Sequence, residues 1–309
     1  PDRDKPAAVP AERGRLEGGT IMKGDAMTKL LYLECTSGIS GDMCAAALLD
    51  AGASEEAVRR ALESLPVEGF AVEISRVKKS GLDVCDFSVV LDAAHENHDH
   101  DMAYLHGQGG ASEHGHDHDH GHAHDHDHAH GAPGGHHHRG PAEIAQIIDG
   151  AAMADGAKAI AHRMFGFVAD AEARAHGVPV GEVHFHEVGA VDSIADIIAI
   201  AVAADDLAPD GVVVSDLPCG YGTVRCQHGL IPVPAPATAF IAEAAGLTLS
   251  PVDVEGELVT PTGAAAAAAL RTEAALPERF SIKAIGMGAG KRAYDTPGIL
   301  RAMIIEPAE

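Results

Sequence analysis

Residues 190–203 are the feature that most restricts how this chain can fold. Their apolar side chains recur with the helical period and occupy nearly the whole circumference of the predicted helix. We therefore predict that this helix is buried, since water would otherwise contact apolar surface on all its sides. It nevertheless contains Asp192 and Asp196, which lie four residues apart and so on one stripe of the helix.

Two carboxylates on a buried helix cost free energy unless a metal ion, a cationic partner or a polar cavity stabilises them. We predict that Asp192 and Asp196 belong to a functional site and act as metal ligands. A structural alternative stays open, in which Asp192 caps the start of the helix and Asp196 pairs with an arginine.

The segment just before this helix adds imidazole groups. In residues 182–186 polar and apolar side chains alternate, so an extended conformation places Glu182, His184 and His186 on one side. This side combines two imidazoles with one carboxylate. We predict that His184 and His186 are metal ligands together with the two aspartates.

Residues 95–140 differ sharply in composition from the rest of the chain. Sixteen of the 21 histidines lie between His95 and His138, with small and acidic residues among them. Such a segment has too few apolar side chains to pack, so we predict a long disordered His-rich insertion within the folded domain. Its densest part contains His114, His116, His118, His120, His122, His124, His126, His128 and His130.

Imidazoles interspersed with carboxylates are good ligands for divalent nickel, copper, zinc and cobalt, and relative affinity alone does not choose among these ions. We predict that the insertion binds such ions. A catalytic site needs ligands that are held in place, so a flexible segment favours buffering or delivery of metal.

Metal binding by the insertion should depend on pH, because only neutral imidazole is a ligand. The number of Ni²⁺ ions bound is expected to fall as the pH drops through about 6.5, the pKa of an unperturbed histidine. Equilibrium dialysis at about pH 7.5 and at about pH 4.5, on either side of that pKa, measures the change. Full retention of nickel at the lower pH contradicts the prediction.

The overall composition limits the class of protein. With 309 residues, 46% of them hydrophobic, the chain is long enough for one large or two medium domains. Its formal net charge of -24 repels nucleic acid and anionic membrane surfaces. The chain also lacks the long uncharged apolar run that would predict a membrane span. The five cysteines include no CxxC pair, which favours a reducing cytoplasmic location. Residues 1–28 are rich in proline, glycine and charge and predict a disordered leader.

Loops that lead into helices are candidate anion sites, because amide N–H groups and the helix dipole favour negative charge there. The first loop follows a predicted strand at 29–34 and contains Ser37, Gly38, Ser40, Gly41 and Asp42. Ordinary capping by Ser40 or Asp42 is the alternative. The loop has no Walker lysine and is not a P-loop.

A second candidate anion site precedes a run of alanines. Thr262 is the predicted N-cap of that helix, and a phosphate held by Thr262 and Gly263 is the alternative. A glycine-rich turn at 286–292 contains Lys291 and Arg292, which can neutralise a phosphate.

Other patterns complete the predicted fold, which is α/β with a mixed sheet flanked by helices. Runs at 70–77 and 84–91 predict a β-hairpin with Lys78 and Lys79 as solvated turn charges. Further helices are predicted at 141–149, at 157–176 and near Pro236, and further strands at 211–214 and 299–305. Residues 29–94 and 141–309 then form one domain, interrupted by the insertion.

Two more sets of polar residues remain open to interpretation. Glu172 and His176 share one helical face and form either a surface ion pair or additional ligands. His228, in a loop or hairpin rich in functional groups, is either a ligand or catalytic group or a structural residue.

Five motifs in order resemble the nickel insertion protein family (LarC). They are SGISGDM at 37–43, the His-rich insertion, HFHEVGAVDSI at 184–194, His228-Gly229 before PVPAPAT at 232–238, and TPTGA at 260–264. The resemblance runs from about Leu30 to Glu306 and covers most of the chain.

The resemblance implies an enzyme, a nickel chelatase of the lyase class. Such an enzyme inserts Ni²⁺ into pyridinium-3,5-bisthiocarboxylic acid mononucleotide and thereby forms the nickel-pincer nucleotide cofactor, with CTP used up. Family members continue into a C-terminal domain to which CTP binding and oligomerisation are ascribed. We expect this domain to be absent here or to form a separate chain, and the complete protein to be a homo-oligomer.

This interpretation assigns a path to the metal. The insertion captures Ni²⁺ and passes it to fixed ligands, and the substrate sulfurs finally receive it. Those fixed ligands are His184, His186, Asp192, Asp196 and His228, with Glu187 beside them. Formation of a nickel–carbon bond also needs a base for the ring proton, for which His186 and Glu187 are candidates.

Two alternatives belong to other classes. The first is a nickel storage protein or metallochaperone without catalysis, in which the insertion has the whole function. The second is a metal-dependent phosphohydrolase that uses Asp192, Asp196 and His186, and the lack of a DxD pair argues against it.

Overall fold

The computed structural model describes residues 29–92, 139–183, 185, 191–226 and 229–308. The predicted leader and nearly all of the His-rich insertion lie outside the described residues. So do His184, His186, Glu187 and His228.

A six-stranded mixed sheet forms the main framework, as predicted. Its strands are β1 (Leu30–Glu34), β2 (Phe70–Lys79), β3 (Leu82–Leu91), β4 (Gly211–Val214), β9 (Phe280–Ala289) and β10 (Ile299–Pro307). The strand order is β2-β3-β9-β10-β1-β4. Strand β1 pairs antiparallel with β10 and parallel with β4, so both strand directions meet in one sheet. The predicted hairpin at β2 and β3 is confirmed.

Four shorter strands form two separate ladders. Strands β5 (Leu217–Tyr221) and β8 (Leu249–Glu255) pair in parallel, and β6 (Thr223–Cys226) and β7 (Gly229–Pro232) form an antiparallel hairpin. Sequence patterns did not predict β8, whose apolar residues are interrupted by a proline and charges, or β9, whose apolar residues are interrupted by a lysine and glycines.

Seven α-helices are present in the described part of the chain. They are α1 (Gly41–Asp50), α2 (Glu55–Glu63), α3 (Pro141–Gly150), α4 (Asp155–His176), α5 (Val191–Leu207), α6 (Pro236–Ala245) and α7 (Pro261–Leu270). None of the described helices is long and apolar enough to cross a membrane.

Helix α5 lies in the centre of the helical layer, and its predicted burial is confirmed. It packs against α1, α2, α4 and α7. Ile194, Ile197 and Ile198 are almost completely inaccessible to solvent. Because α5 is surrounded by these helices, it needs apolar side chains around its whole circumference.

Helix α1 lies very close to the sheet, at Gly286 and Gly288 of β9. A Cβ atom at Gly286 would lie 2.0 Å from the carbonyl oxygen of Ala47, and one at Gly288 would lie 2.1 Å from that of Met43. The prediction of a turn at these glycines was wrong, because they belong to a strand. Their function is to let a helix backbone contact the sheet directly.

Candidate functional site

Two loops that are far apart in sequence bring the starts of α1 and α7 together. Ile39 and Val259 form a parallel β-bridge. The amide of Ile39 donates to the carbonyl of Leu258 at 3.0 Å, and the amide of Thr260 donates to the carbonyl of Ile39 at 3.2 Å. Both loops that the sequence suggested as anion sites thus lie side by side.

The N-cap of α7 is Thr260, so the prediction of Thr262 was wrong. The Thr260 hydroxyl accepts a hydrogen bond from the amide of Gly263 at 3.1 Å. Thr262 is buried within the first turn, with only 8% of its surface exposed. Pro261 is the signal that would have located the cap, because proline is favoured at the first helical position and the cap precedes it.

A polar cavity lies at the paired helix starts and encloses about 460 Å³ of space between protein atoms, part of it open to solvent. Its polar lining comes from four hydroxyls, two carboxylates and two cations, namely Ser37, Ser40, Thr260, Tyr294, Asp42, Glu257, Lys291 and Arg292.

The two cations belong to the loop 290–298, which is attached to the β2–β3 turn. The Lys79 ammonium donates to the carbonyl of Gly290 at 2.7 Å and to that of Arg292 at 2.9 Å. Burial lowers the pKa of Lys79, and the nearby Lys291 acts in the same direction. The prediction that Lys79 is a solvated turn charge was therefore wrong, whereas Lys78 is 71% exposed as expected.

Each cation in the cavity has a carboxylate partner. Lys291 forms an ion pair with Asp86. One guanidinium nitrogen of Arg292 lies 2.5 Å from a carboxylate oxygen of Glu257, which is 6% exposed. These pairs hold the cations in place at the cavity wall.

Asp42 contributes a carboxylate oxygen whose hydrogen-bonding capacity is not used. Its Oδ1 accepts a hydrogen bond from the Ser40 hydroxyl. Its Oδ2 is buried, and no group among the described residues donates to it. Ser40 is the N-cap residue of α1, but its side chain makes no capping hydrogen bond. Capping by Ser40 therefore does not explain this pair of polar residues.

Asp196 of α5 lies against the start of α1. A Cβ atom at Gly41 would lie 2.1 Å from Asp196 Oδ2, so only glycine leaves room for this carboxylate. Burial raises the pKa of Asp196 well above its usual value, and the charges of Asp42 and Asp192 raise it further. Lys291 opposes this effect. Among the described residues no arginine pairs with Asp196, so that structural alternative lacks support.

The predicted metal ligands are only partly described. Among the described residues, no group of three or more histidine, cysteine or acidic side chains is arranged to hold a metal ion. His184, His186, Glu187, His228 and the histidines of the insertion lie outside those residues. The role predicted for them therefore stays a prediction.

Residues next to these histidines show how the segment is anchored. Val183 and Phe185 are buried, and the Phe185 ring packs edge-to-face on Phe165 with ring centroids 5.3 Å apart. Glu182 ends a 3₁₀ turn and is exposed, so it does not share the extended conformation considered for residues 182–186, whereas Val183 is extended. Further back, a ring nitrogen of His176 lies 3.4 Å from a carboxylate oxygen of Glu172, the pairing expected from their spacing.

The fold and the cavity together define an α/β protein with a charged cavity where two helices begin. Comparison with known sequences makes this specific: the profile of the family described as nickel insertion protein matches residues 31–309. The chain belongs to the nickel insertion protein family.

Individual relatives agree with this assignment. The chain is 48% identical over 281 residues to a pyridinium-3,5-bisthiocarboxylic acid mononucleotide nickel insertion protein of Alkaliphilus metalliredigens, covering 91% of this chain and 61% of the relative. It is 38% identical to a protein of that name from Geobacillus kaustophilus, covering 90% and 60%. A putative nickel insertion protein of Geobacter sp. strain M21 is also 38% identical, with 91% and 62% covered.

The chain spans about three fifths of the length of these relatives. No solved structure matches it.

Proposed function

We propose that this chain inserts nickel into pyridinium-3,5-bisthiocarboxylic acid mononucleotide and so forms the nickel-pincer nucleotide cofactor. Two of the relatives above are named for this insertion. The structural observation that carries the proposal is the buried carboxyl of Asp196 on α5, which lies against Gly41 at the start of α1 and whose pKa is raised by burial, by Asp42 and by Asp192. The described carboxylates alone do not form a metal site, so His184, His186 and His228 complete it in this proposal. Carboxylates gathered in a poorly solvated place repel one another, and a divalent cation relieves that repulsion.

The metal follows a path of increasing ligand strength. The His-rich insertion captures Ni²⁺ with many exchanging imidazoles, and His184, His186, Asp192, Asp196 and His228 receive it at fixed positions. The softer thiocarboxylate sulfurs of the substrate then take the ion. His186 or Glu187 accepts the proton that leaves the pyridinium ring when carbon binds nickel.

The substrate phosphate lies near the paired helix starts. The loop of Ser37, Gly38, Ser40 and Gly41 borders the cavity, and amides in the first turn of a helix favour an anion. At α7 the first turn contains Thr262 and Gly263, with the Thr260 hydroxyl at the cavity wall. Asp42 itself repels a phosphate and needs a different role.

Other components of the reaction belong to the part of the relatives that this chain does not span. We propose that this part binds CTP and joins the subunits into a homo-oligomer, either as a further domain or as a separate chain. The activity is cytoplasmic, where thiols and thiocarboxylates stay reduced.

Deletion of residues 95–138 separates insertion from storage or delivery. We expect the shortened chain, supplied with excess Ni²⁺, CTP and the remaining part of the relatives, to form nickel-loaded cofactor at a rate near that of the intact chain. Absorbance and mass spectrometry of the nucleotide measure the product. If product formation disappears at every nickel concentration, the chain is instead a metallochaperone whose function resides in the insertion.

The fixed site is tested in the shortened chain, where nickel binding by the histidines of the insertion cannot mask nickel binding by the fixed ligands. His186→Ala and Asp192→Ala are each expected to lose high-affinity nickel binding, measured by isothermal titration calorimetry. Glu172→Ala is a matched control, because this acidic residue is paired with His176 on another helix. Equal nickel affinity in all three variants contradicts the proposed site.

Asp196→Asn should lose nickel without losing stability. The pKa of Asp196 is raised by burial first and by Asp42 and Asp192 next. A carboxyl with a raised pKa stabilises the fold at low pH, and this contribution is lost as the pH rises through the folded pKa. At pH values above that pKa the neutral variant should therefore gain about 0.5–2 kcal/mol in the free energy of unfolding.

Urea denaturation of the metal-free variant and wild type at several pH values measures the gain, which should vanish in acid. A variant that unfolds more easily than wild type at neutral pH contradicts the argument and assigns Asp196 a structural role.

A further inference from the structure

One face of the main sheet carries exposed apolar side chains. Helix α1 lies against the other face, at Gly286 and Gly288 of β9. Side chains alternate between the two faces along a strand, so Ile285 and Met287 point away from α1. The face that contains Ile285 and Met287 is called the open face below.

A β-bulge in β9 adds Ile282 to the open face. The register of β9 against β10 shifts between Ala284 and Ile282, so Lys283 is an extra residue in β9. Strict alternation from Ala284 would place Ile282 on the helix side of the sheet. Because of the bulge, Ile282 lies on the same face as Ile285.

Strand β3 contributes Leu82 to the same place. It runs parallel to β9 with Cys85 opposite Gly288, and Leu82 and Ile285 each lie three residues before that pair. Leu82 also lies two residues before Val84, which belongs to an apolar cluster of the open face. Leu82 and Ile285 are therefore neighbours on this face.

The three residues are much more exposed than other apolar side chains of the open face. Ile282 and Ile285 are each 48% exposed, and Leu82 is 50% exposed. Ile305, which pairs with Ile282, is fully buried in a cluster against which Phe280 packs. Single exposed apolar residues are normal on a protein surface, whereas a contiguous group indicates a place where another chain packs.

The end of β10 lies beside this group. Pro307 pairs with Phe280, and the amide of Ala308 donates to the carbonyl of Arg279 at 2.9 Å. Ile282 follows Phe280 by only two residues. The relatives contain further polypeptide, since this chain spans 61% of the one that is 48% identical. Polypeptide that continues from β10 therefore starts next to Ile282.

We propose that Leu82, Ile282 and Ile285 form the docking surface for the part of the relatives that this chain does not span. That part covers the three side chains with apolar groups of its own. The ion pair of Arg301 with Glu34 lies on the same face and forms a charged rim of the contact.

Docking at this surface fixes the second part relative to α1, which packs on the other side of the same strand and begins at the cavity. The proposed CTP-binding part and the proposed site are thereby held on one rigid sheet. The identity of the partner rests on the proposed function, but the exposed group and its place beside β10 do not.

Protection of a thiol tests the proposal in a chain of the relatives' length, made by joining the remaining part of the 48% identical relative to Glu309. We expect iodoacetamide to modify Ile285→Cys at least tenfold more slowly in the joined chain than in this chain alone. Mass spectrometry of the modified peptide measures the rate. Val178→Cys is the matched control, since Val178 is exposed and belongs to no strand, and it should react equally in both chains.

A charge at the docking surface should separate the two parts. In the joined chain, Ile285→Asp should increase the rate of proteolytic cleavage between the parts at least tenfold, whereas Val178→Asp should not. Equal modification of Ile285→Cys with and without the remaining part overturns the proposal. So does a dimer of this chain alone that sedimentation detects and Ile285→Asp abolishes, because the surface then belongs to a second copy.

Failure of docking and failure of nickel insertion give different results. If the joined chain forms nickel-loaded cofactor while Ile285→Cys reacts as fast as in this chain alone, the docking surface is wrong and the function stands. If Ile285→Cys is protected but the joined chain forms no cofactor with Ni²⁺ and CTP present, the docking surface stands and the function is wrong.

Discussion

Arg292→Met is expected to lower the free energy of unfolding by about 3–5 kcal/mol, because it leaves the Glu257 carboxylate buried without its cationic partner. Glu257 is 6% exposed, and the side chain of Arg292 is 18% exposed. Methionine has a similar length and fills the same space, so the loss reflects the missing charge more than a cavity. Urea denaturation followed by circular dichroism measures the change.

Two further variants define what the loss means. In Arg292→Met with Glu257→Gln, no charge stays buried, so most of the lost stability should return. Arg301→Met is the matched control, since Arg301 pairs with Glu34 on the surface, with 47% of its side chain exposed, and should cost at most about 1 kcal/mol. A loss at Arg292 no larger than that at Arg301 contradicts the prediction.

Gly288→Ala is expected to destabilise the fold by about 1–3 kcal/mol or more, the cost of forcing an extra methyl group into a filled core. The added Cβ would lie 2.1 Å from the carbonyl oxygen of Met43 and 2.6 Å from the amide nitrogen of Ala47. Both atoms belong to the backbone of α1, so relief requires the whole helix to move. Because α1 begins at the cavity, ligand affinity should fall as well.

Gly166→Ala is the control, because it also replaces a glycine with alanine but at a position without a close contact. Gly166 lies within α4, where an added Cβ would meet no atom within 4 Å. The substitution should therefore stabilise the chain by about 0.5–1 kcal/mol, since alanine favours a helix over glycine. Thermal denaturation should thus shift in opposite directions for the two variants, and a shift in the same direction argues against a close contact of α1 with β9.

Part of the candidate site could be predicted, namely the residues whose role is indicated by their immediate neighbours in the sequence. Asp192 and Asp196 stood out because carboxylates are costly on a helix with no polar side. The structure places Asp196 against Gly41 at the start of α1, where Asp42 raises its pKa. The loop at Ser37 and Gly38 stood out because it follows a strand and precedes a helix. No local signal, however, indicates that Lys79 holds the loop of Lys291, more than two hundred residues later.

Two errors have a common cause. Gly286 and Gly288 were assigned to a turn because glycine is common in turns, yet their real constraint is the backbone of α1. Lys79 was assigned to solvent because it is a charge next to a turn, yet two carbonyls of a distant loop accept its hydrogen bonds. In both cases the decisive neighbour lies far away in the sequence. Thr262 is different, since Pro261 already marked Thr260 as the cap.

The sequence by itself was sufficient to predict the α/β class, the burial of α5, the β2–β3 hairpin and the family. Periodicity and short motifs depend only on residues that are neighbours in the chain. The approach of α1 to α7, the cavity between them and the pairing of its cations depended on long-range packing. Ile39 and Val259 are far apart in the sequence, and the tertiary fold brings them together. Side-chain chemistry could therefore be listed in advance, whereas the contacts that turn it into a site arise from the tertiary structure.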